Sequence, residues 1–239
     1  YPGTMGAPYI DYIIADRHII PAEDDCYYQE KVVRLPDSYQ VNDSKRVIAD
    51  DTPSRAELGL PANGFVFCSF NNHYKITPDV FAVWMRLLQQ VSGSVLWLLG
   101  SNPEAEANLR LAAQEHGVDP VRLVFAARTS LPGHLARHRQ ADLFVDTVPV
   151  NAHTGASDAL WAGLPVLTVT GRAFAGRVAG SLLQAARHAD ALTLPARELV
   201  RQPCGESAVE TDLIEQRVHP FRLVGGVRGE AVHADGLEE

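Results

Sequence analysis

From Gly64 onward, apolar and polar positions alternate in blocks with a steady rhythm. Residues 65–70, 94–99, 121–125, 142–147 and 166–169 are short runs rich in apolar, β-branched and aromatic side chains. Such runs are the pattern of strands buried on both faces. The stretches between them have helical character. Pro78 opens one in which Val80, Trp84, Leu87, Leu88 and Val91 recur at helical spacing. Residues 103–117, closed by a glycine suited to a C-cap, and residues 132–139, 154–162 and 173–185 supply the others. Strands and helices alternate five times, which predicts an α/β fold with a parallel sheet covered on both faces.

The rhythm is weaker at both ends. Residues 8–14 read as a strand and residues 30–35 as a second, weaker one. Residues 36–62 are polar, carry Pro36, Pro53 and Pro61, and read as a linker around one short helical piece at 54–58. After Gln184 the periodicity decays: residues 185–200 have helical potential. Beyond Gln202, scattered Gly205, Gly225, Gly226 and Gly229 predict poor order. The chain thus divides into residues 1–62, 63–183 and 184–239.

Composition narrows the classes of function. With 46% hydrophobic residues among 239, a sizeable core can be buried. No apolar run approaches the roughly 18 residues of a membrane span, so no membrane partner is expected. The chain opens at Tyr1, without Met or a charged-then-apolar leader, which predicts a fragment or processed product without a signal peptide. Cys26, Cys68 and Cys204 form no metal-ligand spacing and read as core thiols in a reducing, cytoplasmic compartment. The net charge of −8 is uneven: residues 1–62 hold 6 basic and 11 acidic groups and residues 184–239 hold 6 and 10, whereas residues 63–183 hold 9 and 8. No basic face emerges, which argues against nucleic acid as a partner.

Two turns concentrate the chemistry. In the first, the strand 142–147 runs into Val148-Pro149-Val150-Asn151-Ala152-His153-Thr154, and the turn opens a helix. Ligands of open α/β sheets sit beyond the carboxyl ends of strands, and a helix start offers unpaired N–H groups to phosphate. His153 is either a phosphate or nucleotide contact or an ordinary turn histidine. Thr154 suits an N-cap as well as a phosphate ligand. Asp158, one turn later on the same face, is a natural acceptor for ribose hydroxyls, or else a carboxylate answering the helix dipole. The second turn, Asn71-Asn72-His73-Tyr74-Lys75, follows the strand 65–70. Lys75 is placed to stabilise a departing diphosphate, unless it is a solvated loop lysine. His134 and Arg137, at i and i+3, share a helix face that either meets a nucleotide or faces water. There is no phosphate-loop motif, no Gly-x-Gly-x-x-Gly, no His-Glu-x-x-His and no serine nucleophile elbow.

With these residues in place, the chain resembles the protein O-linked N-acetylglucosamine transferases. The likeness is carried by Tyr1 to Ala7, Asp11 to Asp16, Pro21-Ala22-Glu23, Phe70 to Ile76, Ser94 to Leu99 and Asn151 to Pro165. It spans roughly residues 1–183 and is strongest to bacterial members carrying tetratricopeptide repeats. It implies a GT-B fold of two Rossmann-like lobes, with residues 1–62 a remnant of the first lobe plus linker and 63–183 the lobe that binds a UDP-sugar. It implies transfer of N-acetylglucosamine from UDP-N-acetylglucosamine to Ser or Thr of a protein acceptor, without a metal or other cofactor. By the same resemblance Lys75 matches the catalytic lysine on the donor diphosphate and Asn72 stands near that phosphate. His153 and Thr154 match nucleotide contacts, Asp158 the ribose carboxylate, and His134 and Arg137 the uridine side.

The chain also departs from the family pattern. Gly155 replaces a second threonine, and Leu131 replaces a lysine near the uracil. Most of the first lobe, the acceptor groove and the repeats would lie upstream, so the isolated chain is expected to be inactive. The family's closing helix is not recognisable in 184–239, as a frameshift near Gln184 would explain. The alternatives are a UDP-glucose-dependent protein glucosyltransferase and an inactive nucleotide-binding remnant.

Overall fold

The structure is a computed structural model, and it describes residues 3–100, 102–186 and 193–195. All of these belong to the first of two compact units, Tyr1–Glu198; the second is Leu199–Glu239. The expectations of poor order beyond Gln202 and of a frameshift near Gln184 concern residues that lie largely outside the described ones.

Two parallel sheets organise the first unit. The smaller pairs β1 (Tyr12–Asp16) with β2 (Lys31–Leu35), Tyr12 opposite Lys31. The first strand therefore begins later than the residues 8–14 expected. The larger sheet contains β3 (Val66–Ser69), β4 (Val95–Leu99), β5 (Leu123–Ala126), β6 (Leu143–Val145), β7 (Val166–Thr170) and β8 (Thr193–Pro195). β8 corrects the reading of residues 185–200 as helical: its three residues pair in parallel with β7, Thr168 opposite Thr193. The helical piece expected at 54–58 is a turn, closed by Leu60 N donating to the Arg55 carbonyl at 2.8 Å.

Among the described residues five α-helices accompany the large sheet: α1 (Pro78–Gln90), α2 (Pro103–Glu115), α3 (Leu131–Arg137), α4 (Thr154–Trp161) and α5 (Val178–Ala185). α1 starts where Thr77 caps it and Pro78 takes the first turn, a position that needs no donor. Its expected stripe is buried, widened by Phe81 and Met85. α2 has the opposite character: only Ala113 is buried, and Gly117 ends it with φ +72°, a left-handed conformation that favours glycine. Val66, Phe67, Cys68, Trp97, Leu98, Leu143 and Phe144 form the sealed centre, as two-sided cover demands.

The strand order is β5-β4-β3-β6-β7-β8. The chain starts in the middle at β3, builds outward to β5, then returns to β3's other side with β6. The β3–β6 neighbours are the point where the order reverses, so their carboxyl-end loops splay apart and leave a crevice. The small sheet is fastened beside α5. Buried Asp16 accepts from Ser181 Oγ at 2.6 Å, Tyr39 N at 2.9 Å and the amides of His18 and Ile19. Gly180 permits this approach, because a Cβ there would fall 2.6 Å from His18 Nε2.

Candidate functional site

The loop after β3 carries Asn71 and Asn72, then a single-turn helix, His73–Lys75, that brings the lysine back over the crevice. Asn72 is exposed, whereas Lys75 is half-buried. Lys75 Nζ donates to the Asn151 carbonyl at 2.8 Å, so the two loops of the switch point meet through this ammonium. Lys75 is therefore no freely solvated loop lysine. Burial pulls its pKa below the ordinary lysine value, and the carboxyl of Asp146 opposes that shift.

Asp146, at the carboxyl end of β6, organises the opposite loop. Its Oδ1 accepts from Ala152 N at 2.6 Å and Thr147 N at 2.7 Å, and its Oδ2 from Thr168 Oγ1 at 2.6 Å. Asn71 Nδ2 donates to Oδ1 at 3.4 Å, tying in the β3 loop. Burial pushes the Asp146 carboxyl up to about 6, against the pull of these donors and of the Lys75 charge. Asn151 is locked as well: its Nδ2 donates to the Thr147 and Val169 carbonyls at 3.0 and 3.3 Å, and its amide to Ala175 O at 2.9 Å. The carbonyl that receives Lys75 is thus fixed by hydrogen bonds that Asn151 donates to two further segments.

This loop delivers the start of α4. His153, not Thr154, is the N-cap residue, and no side chain caps the helix. Thr154 is instead the first helical residue and is exposed. The N-terminal turn therefore keeps donors for an anion. Burial, and next the Lys75 charge, lower the His153 pKa, so the imidazole is neutral near pH 7. Its Nε2 is buried without a partner among the described residues.

The β5 side holds a second cluster. Arg137 is buried, with its guanidinium carbon 4.4 Å from the Phe70 ring centroid and its Nη1 donating to the Ala127 carbonyl at 2.7 Å. It also contacts His134 Nδ1. Neither is the solvated helix face that spacing left open. The His134 ring lies 5.4 Å from Phe70 and 4.8 Å from His138. Burial and the Arg137 charge press the His134 pKa down to about 3, and burial presses that of His138 to about 4, so both rings are neutral at pH 7. His134 Nε2 stands 3.8 Å from Asp158 Oδ2. Asp158 is buried and paired with Arg46, a residue of the polar stretch before the sheet.

The fold thus brings Lys75 and His153 together across the switch point, and His134, Arg137 and Asp158 together beside Phe70, with α4 joining the groups. Asn72 and Thr154 lie exposed at their rim. The organising roles of Asp146, Asn151 and Arg46 were missed. A carboxylate at the carboxyl end of an apolar strand was the visible signal for Asp146; none pointed to Arg46. An open groove of about 420 Å³ lies at the other edge of the sheet, lined by Leu60, Pro61, Val95, Val121, Arg122 and Val124, away from Lys75. Among the described residues no three His, Cys, Asp or Glu side chains are grouped to hold a metal ion, and no helix is long and apolar enough to cross a membrane.

Comparison with known proteins bears on this arrangement. The sequence profile of glycosyl transferase family 41 matches residues 1–52 and 50–201. The likeness therefore runs past the residue 183 at which it was expected to stop. A probable UDP-N-acetylglucosamine–peptide N-acetylglucosaminyltransferase, SEC, of Arabidopsis thaliana is 39% identical over 187 residues, 76% of this chain and 19% of that protein. The UDP-N-acetylglucosamine–peptide N-acetylglucosaminyltransferase of Caenorhabditis elegans is 40% identical over 132 residues, 55% of this chain and 12% of that one. Among solved structures, an O-GlcNAc transferase mutant of Thermobaculum terrenum superposes with a TM-score of 0.71 at 27% identity, over 94% of this chain and 43% of that chain. The chain spans about a fifth or less of the length of the curated relatives it matches.

Proposed function

The chain belongs to glycosyl transferase family 41, and from that premise we propose that its large sheet is the UDP-sugar-binding lobe of an enzyme that transfers N-acetylglucosamine from UDP-N-acetylglucosamine to Ser or Thr of proteins. Its α/β fold is that of the GT-B glycosyltransferases. In this reading residues 1–62 are the end of the first lobe and a linker, and the large-sheet lobe extends through β8.

One observation carries the proposal: Lys75 Nζ on the Asn151 carbonyl, beside an uncapped helix start led by His153, at the β3–β6 switch point. The diphosphate of the donor lies against this helix start, with Thr154 at its entrance and Asn72 at the rim. As the bond from the sugar to the diphosphate breaks, negative charge grows on the leaving oxygen. The Lys75 ammonium is held near that charge before it develops, so it stabilises the transition state more than the ground state. Neutral His153 donates or accepts one hydrogen bond without adding charge. Stacked Arg137 and His134 form the uridine wall, and Asp158 accepts from ribose hydroxyls. Similarity to relatives whose names specify UDP-N-acetylglucosamine and peptide supports the choice of sugar and acceptor. Cys68 is the buried thiol expected, whereas Cys26 is exposed and not a core thiol; neither forms a disulfide among the described residues, which suits a reducing, cytoplasmic setting.

The test is calorimetric titration of UDP into the chain beside His153→Ala. Saturable binding by the native chain, weakened about tenfold by the substitution, is the expected result. A folded chain that ignores UDP refutes the donor site.

A further inference from the structure

Residues 42–52, read from sequence as part of a polar linker, form a strap across α4 and α3. Ser157 Oγ donates to Asn42 Oδ1 at 2.6 Å. Arg46 pairs with Asp158, and its Nη2 donates to Ser157 Oγ at 3.3 Å. Trp161 Nε1 donates to the Arg46 carbonyl at 3.3 Å, and the guanidinium carbon sits 5.0 Å from the centroid of the same indole. Further along, Ala49 N donates to the Pro132 carbonyl at 3.1 Å, and Arg139 Nη1 donates to the Ala49 carbonyl and Thr52 Oγ1. A mere connector has no need of a guanidinium with 9% of its side chain exposed. Burying one is costly unless its partner is fixed and charged.

The geometry of that pair is asymmetric. Arg46 takes Oδ1 of Asp158. Among the described residues Oδ2 receives no hydrogen bond: His134 Nε2 stands 3.8 Å from it, beyond hydrogen-bond range. One oxygen of the carboxylate is held, and the other retains its capacity to accept. We propose that Arg46 is a positioning residue for ribose recognition: it grips Asp158 by one oxygen so that the other meets the ribose hydroxyls of the donor. Arg46 acts through Asp158, and the inference rests on the donor site proposed above. Burial by itself raises the Asp158 pKa, and the Arg46 charge counters that rise and favours the ionised form that a ribose hydroxyl donates to. The strap is then a wall of the nucleotide site supplied from outside the large sheet.

The experiment compares UDP with dideoxyuridine diphosphate, which lacks both ribose hydroxyls, in the native chain, Arg46→Gln and Arg46→Lys. The native chain is expected to prefer UDP by about tenfold, the worth of hydrogen bonds to a charged acceptor. Arg46→Gln is expected to lose that preference while binding the dideoxy compound as the native chain does. Arg46→Lys, which keeps the charge and loses the planar fork, is expected to retain part of it. A purely structural pair would weaken both ligands alike, so the ratio separates the two roles even in a partly destabilised variant. A native chain that binds UDP without preference removes the ribose role of Asp158 on which the inference stands. A native preference that survives intact in either variant overturns the role of Arg46 and leaves the donor site untouched.

Discussion

The two edges of the large sheet are built from similar residues and treat them differently. At the amino edge, Arg122 donates through Nη2 to the Val91 carbonyl and Ser94 Oγ, both at 2.9 Å, and through Nε to the Ser94 carbonyl at 2.8 Å. Arg55 there reaches the Gln140 and Gly64 carbonyls and Asp142. These guanidiniums close helix ends and turns, and none of their buried atoms is left over. At the carboxyl edge, His73 Nε2, Arg137 Nε, His138 Nε2, Asn151 Oδ1 and His153 Nε2 are buried with no partner among the described residues. Folding normally satisfies buried polar groups, so five unsatisfied atoms at this edge fit the donor site proposed above. One edge is finished by the chain itself, and the other is left open for chemistry.

Substitutions at the two edges separate these roles. The largest effect belongs to Lys75→Ala, which removes the ammonium of the open edge. Calorimetry is expected to show UDP affinity lower by ten- to a hundredfold, about 1.5–3 kcal/mol, with a melting temperature close to that of the native chain. Arg122→Ala is the mirror image. It strands the α1 carbonyls and is expected to cost about 2 kcal/mol in urea unfolding while UDP affinity stays unchanged. If Arg122→Ala lowered affinity as much as Lys75→Ala, the contrast between the edges would collapse.

Asp146 gives an intermediate test, because it belongs to the open edge yet holds the fold. Its folded pKa, about 6, lies above its ordinary value. Between those two values the native state holds more protons than the unfolded chain, so the contribution of Asp146 to stability is lost as pH rises. Comparison with Asp146→Asn in urea isolates that part. The native chain's advantage is expected to shrink by roughly 2 kcal/mol from pH 4 to pH 7. An advantage that grows with pH would mean that the donors around the carboxylate outweigh its burial.

The smallest effect is a gain. A Cβ at Gly155 would meet nothing closer than Ala152 Cβ at 3.7 Å, an ordinary contact, so the backbone there admits a Cβ. Gly155→Thr adds a hydroxyl to the uncapped first turn of α4 and is expected to tighten UDP about two- to threefold, with stability unchanged or slightly raised. Weaker binding would show that the backbone at Gly155 itself must approach the phosphate.

Much of the lobe was legible because its determinants are local. The stripe of Val80, Trp84, Leu87 and Leu88 and the unbroken apolar run of β4 report burial directly through backbone periodicity. The two chemistry-bearing turns were visible for the same reason: each follows an apolar strand and precedes a helix, as at Lys75 and His153. β8 was missed because a three-residue edge strand has too short a period to read, and the turn at 54–58 imitated a helix for as long as one turn lasts.

The sequence alone determined the alternation of elements, the sheet's two-sided cover, the two turns and the resemblance that led to the family. Only the tertiary structure decided that β3 and β6 are neighbours, which sets Lys75 on the Asn151 carbonyl although 76 positions separate them. It alone decided that Arg137 is buried on Phe70 instead of solvated, that His153 takes the cap position expected of Thr154, and that Arg46 reaches Asp158 across 112 positions. The physical reason is one of range. Periodicity and capping act within a few residues. Strand order and ion pairs are settled by how whole elements bury their faces against one another, and no local pattern in the chain records that outcome.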